Sequence, residues 1–437
     1  MRTFAIILAA GEGKRMKTAT PKVLHKLLGV EMIRYVLRAL TMVNEKPIVV
    51  IGHGADEVKA ALGEDVRYAL QESRLGTGHA VMMAREYLQG QDGYVFVLAA
   101  DMPLITEQTL QSLLDTTIES GASATVLTAK MDDPTGYGRI ICDEYDSIYK
   151  IVEHKDATKE QCLIKEINAS VYCFEINALL SCLDRIKPNN AQSEYYLTDV
   201  IGLLNTDEKT VKALCVSASE CLGVNDLVQL ANVQKVLQQR INQEHMLRGV
   251  QIIDPDTTFI SPGASIGPGT IIYPSNIIEG NAQIGKNAIL YPNNYIEGAQ
   301  VGEGTKIGPS AHLRAGTATG KNCRVGNFVE LKNVTLDDGA KVSHLAYCGD
   351  GSIGKKSNIS CGVIFSNYDG NRKSRTIVGD NCFIGCNVNL VAPVDIGDGA
   401  YVAAGSTITE NVPNDALGIA RERQTVKPGW AKNRKRS

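Results

Sequence analysis

The feature that most narrows the folds open to this chain is a spacing. From Ile260, aliphatic residues recur every six positions at Ile266, Ile272, Ile278, Ile284, Leu290 and Ile296. The register resumes at Val301, Ile307 and Leu313, then at Val325 and Leu331, and later over Ile384, Leu390, Ile396, Val402 and Ile408. Several of these residues precede a glycine, as in Ile266-Gly267, Ile284-Gly285, Val301-Gly302, Ile307-Gly308 and Ile396-Gly397. One inward aliphatic per hexapeptide is the signature of a parallel β-helix, in which each flat face of a coil sends one side chain into a stacked core. The register breaks between Ile364 and Ile377, where FSNYDGNRKSR must project as a loop. In a solenoid such a loop commonly belongs to a binding face.

The first 225 residues have a different texture, and 437 residues exceed what one ordinary core holds. Short β-rich runs at Phe4 to Ala10, Pro47 to Gly52, Tyr94 to Ala100 and Ala124 to Ala129 alternate with amphipathic segments such as Met32 to Met42 and Thr106 to Ser120. This alternation predicts a mostly parallel sheet with helices on both faces, and ligands in such sheets sit at the carboxyl ends of the strands. Asn225 and Asp226 can cap a helix whose apolar positions Leu227, Leu230, Val233, Leu237 and Ile241 keep helical spacing up to Gly249. The expected domains are therefore 1–225, a linker helix over 226–249, and a β-helix over 250–437.

At the carboxyl end of the first strand stands Gly11-Glu12-Gly13-Lys14-Arg15. Glycines expose backbone N–H groups, and the two cations beside them add positive charge, which suits a phosphate. The run is neither a Walker A loop nor a dinucleotide fingerprint. On these residues alone, a structural turn and a phosphate cradle are equally well served.

Composition excludes several classes. A net charge of −3 gives no global footprint for nucleic acid, and the basic stretch Lys427 to Arg436 reads as a solvated tail. No apolar run approaches the ~18 residues of a spanning helix. Phe4 to Ala10 reads as a core strand and not a signal segment, because the polar GEGKR turn follows at once. Eleven cysteines at irregular spacings, without a CxxC pair, point to reduced thiols in a cytoplasmic protein and to neither a disulfide framework nor a zinc site.

Longer motifs carry a specific likeness. LAAGEGKRM, Pro21-Lys22-Val23-Leu24-His25, LGTGHA at Leu75 to Ala80, DPTGYGRI at Asp133 to Ile140, IVEHKDA at Ile151 to Ala157, HLAYCGD and NYDG together resemble the bifunctional N-acetylglucosamine-1-phosphate uridyltransferase and glucosamine-1-phosphate acetyltransferase family. The likeness runs from about residue 3 to 430. It implies an α/β fold class: an N-terminal Rossmann-like nucleotidyltransferase domain and a C-terminal left-handed parallel β-helix of hexapeptide repeats, assembled as a homotrimer. It also implies synthesis of UDP-N-acetylglucosamine in two steps, acetyl transfer from acetyl-CoA to glucosamine-1-phosphate, then uridylyl transfer from UTP to N-acetylglucosamine-1-phosphate.

For the uridylyl site the resemblance implies that Arg15 and Lys22 act on the triphosphate. Leu8, Ala9, Ala10, Gly11, Lys22, Gln71, Gly76, Thr77, Asp101, Gly138, Glu153, Asn168 and Asn225 would contact nucleotide or sugar, with Asp101 and Asn225 as Mg²⁺ ligands. For the acetyl site it implies His344 as general base. Arg314, Lys332, Tyr347 and Asn358 would hold the sugar phosphate, and Cys361, Asn367, Tyr368, Cys386, Ala404 and Arg421 the acetyl-CoA, in a site between subunits. Histidine suits the base role because acetylation needs an uncharged amine and a base that titrates near neutrality. His25, His53, His79, His154, His245 and His312 receive no role.

The sequence departs from the family pattern at Ala99-Ala100, where a glycine usually precedes the aspartate, and at Ala169-Ser170, where Thr-Gly is usual. The added methyls are expected to crowd nucleotide or sugar and to alter KM before activity. Cys361 lies where Ile-Gly-Ala-Gly is usual over Ile359 to Gly362, and Cys386 replaces a usual serine. These two thiols keep open a uridyltransferase whose solenoid only assembles or regulates it. A non-catalytic trimeric scaffold is the second alternative, against which Arg15, Lys22, Asp101 and Asn225 argue.

Overall fold

The computed structural model describes residues 1–144 and 147–433, so the end of the basic tail, 434–437, lies outside the described residues. Trp430, the tail's aromatic residue, is 55 % exposed. The chain divides into two compact units, Met1–Leu237 and Gln238–Ser437, and the boundary falls inside the helix expected as a linker.

In the first unit the elements are β1 (Thr3–Leu8), α1 (Met32–Arg38), β2 (Ile48–Ile51), α2 (Ala55–Leu62), β3 (Arg67–Leu70), α3 (Thr77–Met83) and β4 (Tyr94–Ala99). They are followed by α4 (Glu107–Glu119), β5 (Ala124–Lys130), β6 (Arg139–Cys142), β7 (Ile148–Val152), β8 (Glu166–Glu175), α5 (Ile176–Leu183), α6 (Asp199–Thr206) and β9 (Val211–Val216). The sheet order is β9-β5-β8-β4-β1-β2-β3, with β6 and β7 appended through β8. All four expected strands form.

The strands are apolar on both faces because helices cover both. Phe4, Ile6, Val95 and Val97 enter one core, while Ala5, Ile7, Phe96 and Leu98 enter the other. One feature was not anticipated: β8 runs antiparallel between β4 and β5. Its register with β5 shifts between Asn168 and Tyr172, and Ser170 at the shift adopts a left-handed backbone, φ 56°. Glycine occupies that conformation freely and serine does not.

The helix α7 (Leu227–Leu247) begins where expected. Asp226 Oδ1 accepts from Gln229 N at 2.8 Å, and the Gln229 side chain reaches back to Asn225 N at 2.7 Å, so both capping partners are satisfied. Its second half belongs to the solenoid unit. There the Gln238 and Asn242 carboxamides donate to the carbonyls of Pro255 and Thr258, at 2.9 Å each, and close the first coil's open edge.

The second unit is the left-handed parallel β-helix. Ile260 pairs with Ile278, Ile278 with Ile296, Ile296 with Leu313 and Leu313 with Leu331, so three hexapeptides make one coil and an occasional coil loses a residue. The expected inward positions are buried, except Ile266 in the first coil, which is half-buried. Phe365 and Val378 are the inward residues flanking the loop, whereas Ile364 and Ile377 face outward, so the register breaks between Phe365 and Val378, one residue further on than between Ile364 and Ile377.

Glycines mark where neighbouring coils touch. A Cβ at Gly326 would lie 1.7 Å from Ser343 O and 2.5 Å from its carbonyl carbon. Gly298, at φ 56°, has open space around its Cβ position. Gly326→Ala should therefore cost ~3 kcal/mol or more of solenoid stability by overpacking, while Gly298→Ala should cost only ~1–2 kcal/mol of backbone strain. Urea denaturation of the two variants beside the parent checks the order, and equal midpoints would show that the coil contact at Gly326 relaxes.

Candidate active sites

The carboxyl ends of β1, β3 and β4 open into a cavity of about 580 Å³. Ten residues singled out from the sequence line it: Leu8, Ala9, Ala10, Gly11, Lys22, Gln71, Gly76, Thr77, Asp101 and Glu153. Gly11 has nothing within 4 Å of a Cβ position, so the absent side chain leaves the cavity floor open to a ligand. Gly13 has a different reason to be glycine, since φ is 64° and a Cβ would press to 2.8 Å against Lys22 Cβ.

A polar cluster stands at one side. The Lys22 ammonium donates to Asp101 Oδ2 and, at 3.0 Å, to Asn225 Oδ1, which also accepts from Arg15 Nη2 at 2.8 Å. One carboxylate and one carboxamide oxygen thus converge on a single cationic centre. Two such oxygens fit a hard divalent cation that takes its remaining ligands from phosphate and water. Among the described residues no group of three or more His, Cys, Asp or Glu side chains is arranged to hold a metal by itself.

Asn168 and Gly138 are not among the lining residues. Asn168 is 3 % exposed; its amide donates to Tyr172 Oη at 2.7 Å and its oxygen accepts from Ser170 N at 3.1 Å, which braces two wall residues. Gly138 O accepts from Asn168 N at 3.0 Å. Gln71, 4 % exposed, donates to Gly76 O at 3.1 Å and lies 3.0 Å from His79 Nδ1.

Burial holds the Glu153 carboxyl above the ordinary carboxylate range. The Asp156, Asp199 and Glu194 carboxylates add to this, and the Thr198 hydroxyl at 3.3 Å partly offsets it. Of the expected intrusions, only Ala99 and Ser170 reach the cavity, because Ala100 and Ala169 are 1 % exposed and packed into the core.

Sequence reasoning missed part of the wall. Glu12 binds Arg74 at 3.0 Å and Lys14 at 3.3 Å. Glu194, Leu197 and Thr198 come from a segment docked on the Gly76 loop through Tyr195, whose N–H donates to Leu75 O and whose carbonyl accepts from Gly78 N, each at 2.7 Å. Its only trace in the sequence is the glycine pair, since a Cβ at Gly76 would lie 2.6 Å from Tyr195 O.

In the solenoid unit, corner hydrogen bonds run through successive coils: Leu345 N to Asn327 O, Gly362 N to Leu345 O, Asn387 N to Cys361 O and Gly405 N to Cys386 O, at 2.8–2.9 Å. His344, Cys361, Cys386 and Ala404 therefore sit along one edge of the prism. Arg421 approaches that edge beside Gly405, its Cδ 3.7 Å from where a Cβ would stand. Cys386 is exposed and Cys361 half-buried.

His344 Nδ1 lies 2.9 Å from Asn327 Oδ1. A carboxamide oxygen only accepts, so Nδ1 is the donor in this contact and Nε2 is the ring nitrogen left to the site. Arg314 and Lys332 lie on successive coils of the adjacent face, with Tyr347 on the next coil in register with Glu330; Arg314 pairs with Glu330 at 3.1 Å and the neighbouring Lys373 ammonium holds Lys332 below the ordinary lysine range. Asn358 donates to Ser360 Oγ at 3.1 Å. The projecting loop carries Asn367, 8 % exposed, and Tyr368, 60 % exposed.

Comparison with known proteins agrees with both units. Residues 5–169 match the MobA-like NTP transferase domain family and residues 375–410 the bacterial transferase hexapeptide (six repeats) family. The bifunctional protein GlmU of Acetivibrio thermocellus is 48 % identical over 444 residues, covering 98 % of this chain and 96 % of its own. Those of Clostridium acetobutylicum and Shouchella clausii are 46 % identical, each over 98 % of this chain and over 97 % and 98 % of their own. The chain belongs to the bifunctional GlmU family. It is accordingly both a uridyltransferase and an acetyltransferase, and the solenoid is not merely an assembly module. Its reactants are small molecules, a nucleotide and an acetyl-CoA among them.

Two outcomes test the first cavity. Gly11→Ala removes unfolded-state freedom without strain or clash, so it should fold as well as the parent or be ~0.4–1 kcal/mol more stable. Its added methyl should nonetheless raise the KM for UTP about tenfold, ~1.4 kcal/mol of lost binding, in pyrophosphate-release assays. Glu153 binds its proton more tightly folded than unfolded, so its contribution to stability is full below the unfolded pKa, about 4.3, and is lost as pH rises through the folded value. Glu153→Gln, which copies the protonated form, should melt higher than the parent at pH 8, with the gain shrinking as pH falls. A gain independent of pH would mean that the carboxylate is not the cause.

Proposed function

We propose that the cavity of the first unit binds UTP and N-acetylglucosamine-1-phosphate, and that the edge carrying His344 binds glucosamine-1-phosphate and acetyl-CoA. In this reading residues 1–225 and 250–437 are the two catalytic domains, with the α7 region joining them. The observation that carries the first assignment is the convergence of Lys22, Asp101, Asn225 and Arg15 beside a glycine floor.

Uridylyl transfer needs the sugar phosphate to attack the α-phosphorus of UTP in line as pyrophosphate leaves, so catalysis is mostly positioning and charge neutralisation. Backbone donors at Ala10 and Gly11 and the cations Arg15 and Lys22 receive the triphosphate. Glu153, with Gly138 and Asn168 shaping the wall behind it, faces the sugar; Gln71, Gly76 and Thr77 face the base. Asp101 and Asn225 would hold Mg²⁺, which supplies charge neutralisation at the phosphates, and Lys22 then donates to phosphate oxygens.

In the second site Nε2 of His344 takes a proton from the sugar amine as its nitrogen attacks the thioester carbonyl, and as the C–S bond breaks the imidazolium returns that proton to the departing sulfur, so that coenzyme A leaves as the thiol. The crowding of Lys332 by Lys373 favours an anion beside them, which supports placing the sugar phosphate there with Arg314. Tyr347 and Asn358 would orient the sugar. Asn367, Tyr368, Cys361, Cys386, Ala404 and Arg421 would line the acyl donor's path. Phe328 and Leu345, 62 % and 58 % exposed at the corner next to His344, support a homotrimer in which neighbouring copies cover them and complete the site. Eleven free thiols fit a reducing cytoplasm, and no helix among the described residues is long and apolar enough to cross a membrane.

The two sites are separable by assay. His344→Ala should lower coenzyme A release from acetyl-CoA and glucosamine-1-phosphate by about 10²–10⁴ while leaving UTP-dependent pyrophosphate release intact, and Asp101→Ala should do the reverse. Coenzyme A release that survives in a folded His344→Ala protein would remove the base assignment.

A further inference from the structure

Asp350 takes no part in the chemistry described above, yet it is a carboxylate only 8 % exposed and held in a left-handed backbone conformation, φ 52°. It stands between two asparagines on neighbouring coils, each 17 positions away. Asn333 Nδ2 donates to Oδ1 at 2.7 Å and Asn367 Nδ2 donates to Oδ2 at 2.5 Å. Burial alone would raise this carboxyl, but the two amide hydrogen bonds and the ammonium groups of Lys373 and Lys332 outweigh it and keep it charged.

Both neighbours present NH₂ groups, so the residue between them must accept twice. Asparagine and glycine also tolerate this backbone, but glycine accepts nothing there and asparagine would turn its own NH₂ against a donor.

The upper partner is the base of the projecting loop. Asn367 O accepts from Ser374 N at 2.9 Å, and Tyr368 bridges Lys373 in antiparallel fashion, so the segment closes as a small hairpin. Asp369 Oδ1 accepts from the N–H groups of Asn371 and Arg372, each at 2.8 Å, and shapes the tip. At the hairpin's foot, the Asn367–Asp350 hydrogen bond ties it side chain to side chain to the coil below.

We propose that Asp350 is a positioning residue for acetyl transfer: it fastens the base of this hairpin so that Asn367 and Tyr368 meet the acyl donor and the Lys373 ammonium stays beside Lys332. The assignment rests on the reading of that loop as part of the acetyl-CoA site.

Asp350→Asn tests it with two independent readouts in the assembled, full-length protein. Trypsin acts on the loop's Arg372, Lys373 and Arg375, and nicking there should speed up about tenfold. In parallel the KM for acetyl-CoA should rise about tenfold with kcat within threefold of the parent, while uridylyl transfer is unchanged. Unchanged nicking would overturn the anchoring role. Faster nicking with an unchanged KM would overturn the link to acetyl transfer and place the error in the acyl-donor reading of the loop. Asn333→Gly, whose backbone (φ 48°) glycine accepts and which removes one of the two donors, should move both readouts in the same direction to a lesser extent. It serves as the test if Asp350→Asn does not assemble.

Discussion

Where two stretches of backbone pass at the spacing of a hydrogen bond, no room remains for a side chain, and the places where this chain meets that limit organise both units. An added Cβ would lie 1.7 Å from Ser343 O at Gly326, 2.0 Å from Gly320 O at Gly302, 2.2 Å from Arg2 O at Gly93 and 2.6 Å from Tyr195 O at Gly76. In the solenoid this close approach lets each coil hydrogen-bond to the next and bury one aliphatic per face. In the first unit it docks the Glu194–Thr198 segment onto the loop before α3, and so builds a wall of the cavity. Gly11 is the contrasting case: it crowds nothing in the protein, and its space opens to the cavity.

The solenoid was legible because its period is imposed by geometry on every coil. Ile260, Ile278, Ile296, Leu313 and Leu331 had to be apolar and to recur every 17 or 18 residues for the stack to close, and their pairing follows the count from the sequence. The parallel strands β1, β2 and β4 were legible for a related reason, since burial on both faces leaves a continuous apolar run. What escaped depends on contacts distant in sequence. The antiparallel insertion of β8, the bulge at Ser170 and the docking of Tyr195 have no local period. The break after Phe365 was placed one residue early because Ile364 and Ile377 are as apolar as the residues that turn inward.

The site residues divide along the same line. Gly11 to Arg15 and the NYDG loop stand where a regular pattern stops, and an interruption is visible to sequence reasoning. Asn327 and Asp350 stand inside the pattern, and what matters about them is a side-chain contact 17 residues away. Asn327 makes Nδ1 of His344 the donor in their contact and leaves Nε2 to the site. Resemblance to a family points to the histidine, while only the coil-to-coil register shows which ring nitrogen is the donor.

Both sites also treat positive charge alike. Lys22 rests on Asp101 and Asn225, Arg74 and Lys14 on Glu12, and Arg314 on Glu330, all at least partly open to solvent. Exposed ion pairs of the Arg74–Glu12 and Arg314–Glu330 kind are worth about 0–1 kcal/mol, enough to hold a long side chain in place and too little to keep it from a stronger anion. A phosphate brings more charge and more acceptor oxygens than one carboxylate, and charge-assisted hydrogen bonds to it are correspondingly stronger. In the proposed function the carboxylates and carboxamides around each site would act as rests from which the cations are handed to substrate, and the order in the free protein would lower the entropy that binding otherwise has to remove. Asp350 differs because it is buried and doubly hydrogen-bonded. Its two hydrogen bonds are made within the protein and leave no oxygen resting on a cation, which suits it to fasten the hairpin base that carries Lys373 beside Lys332.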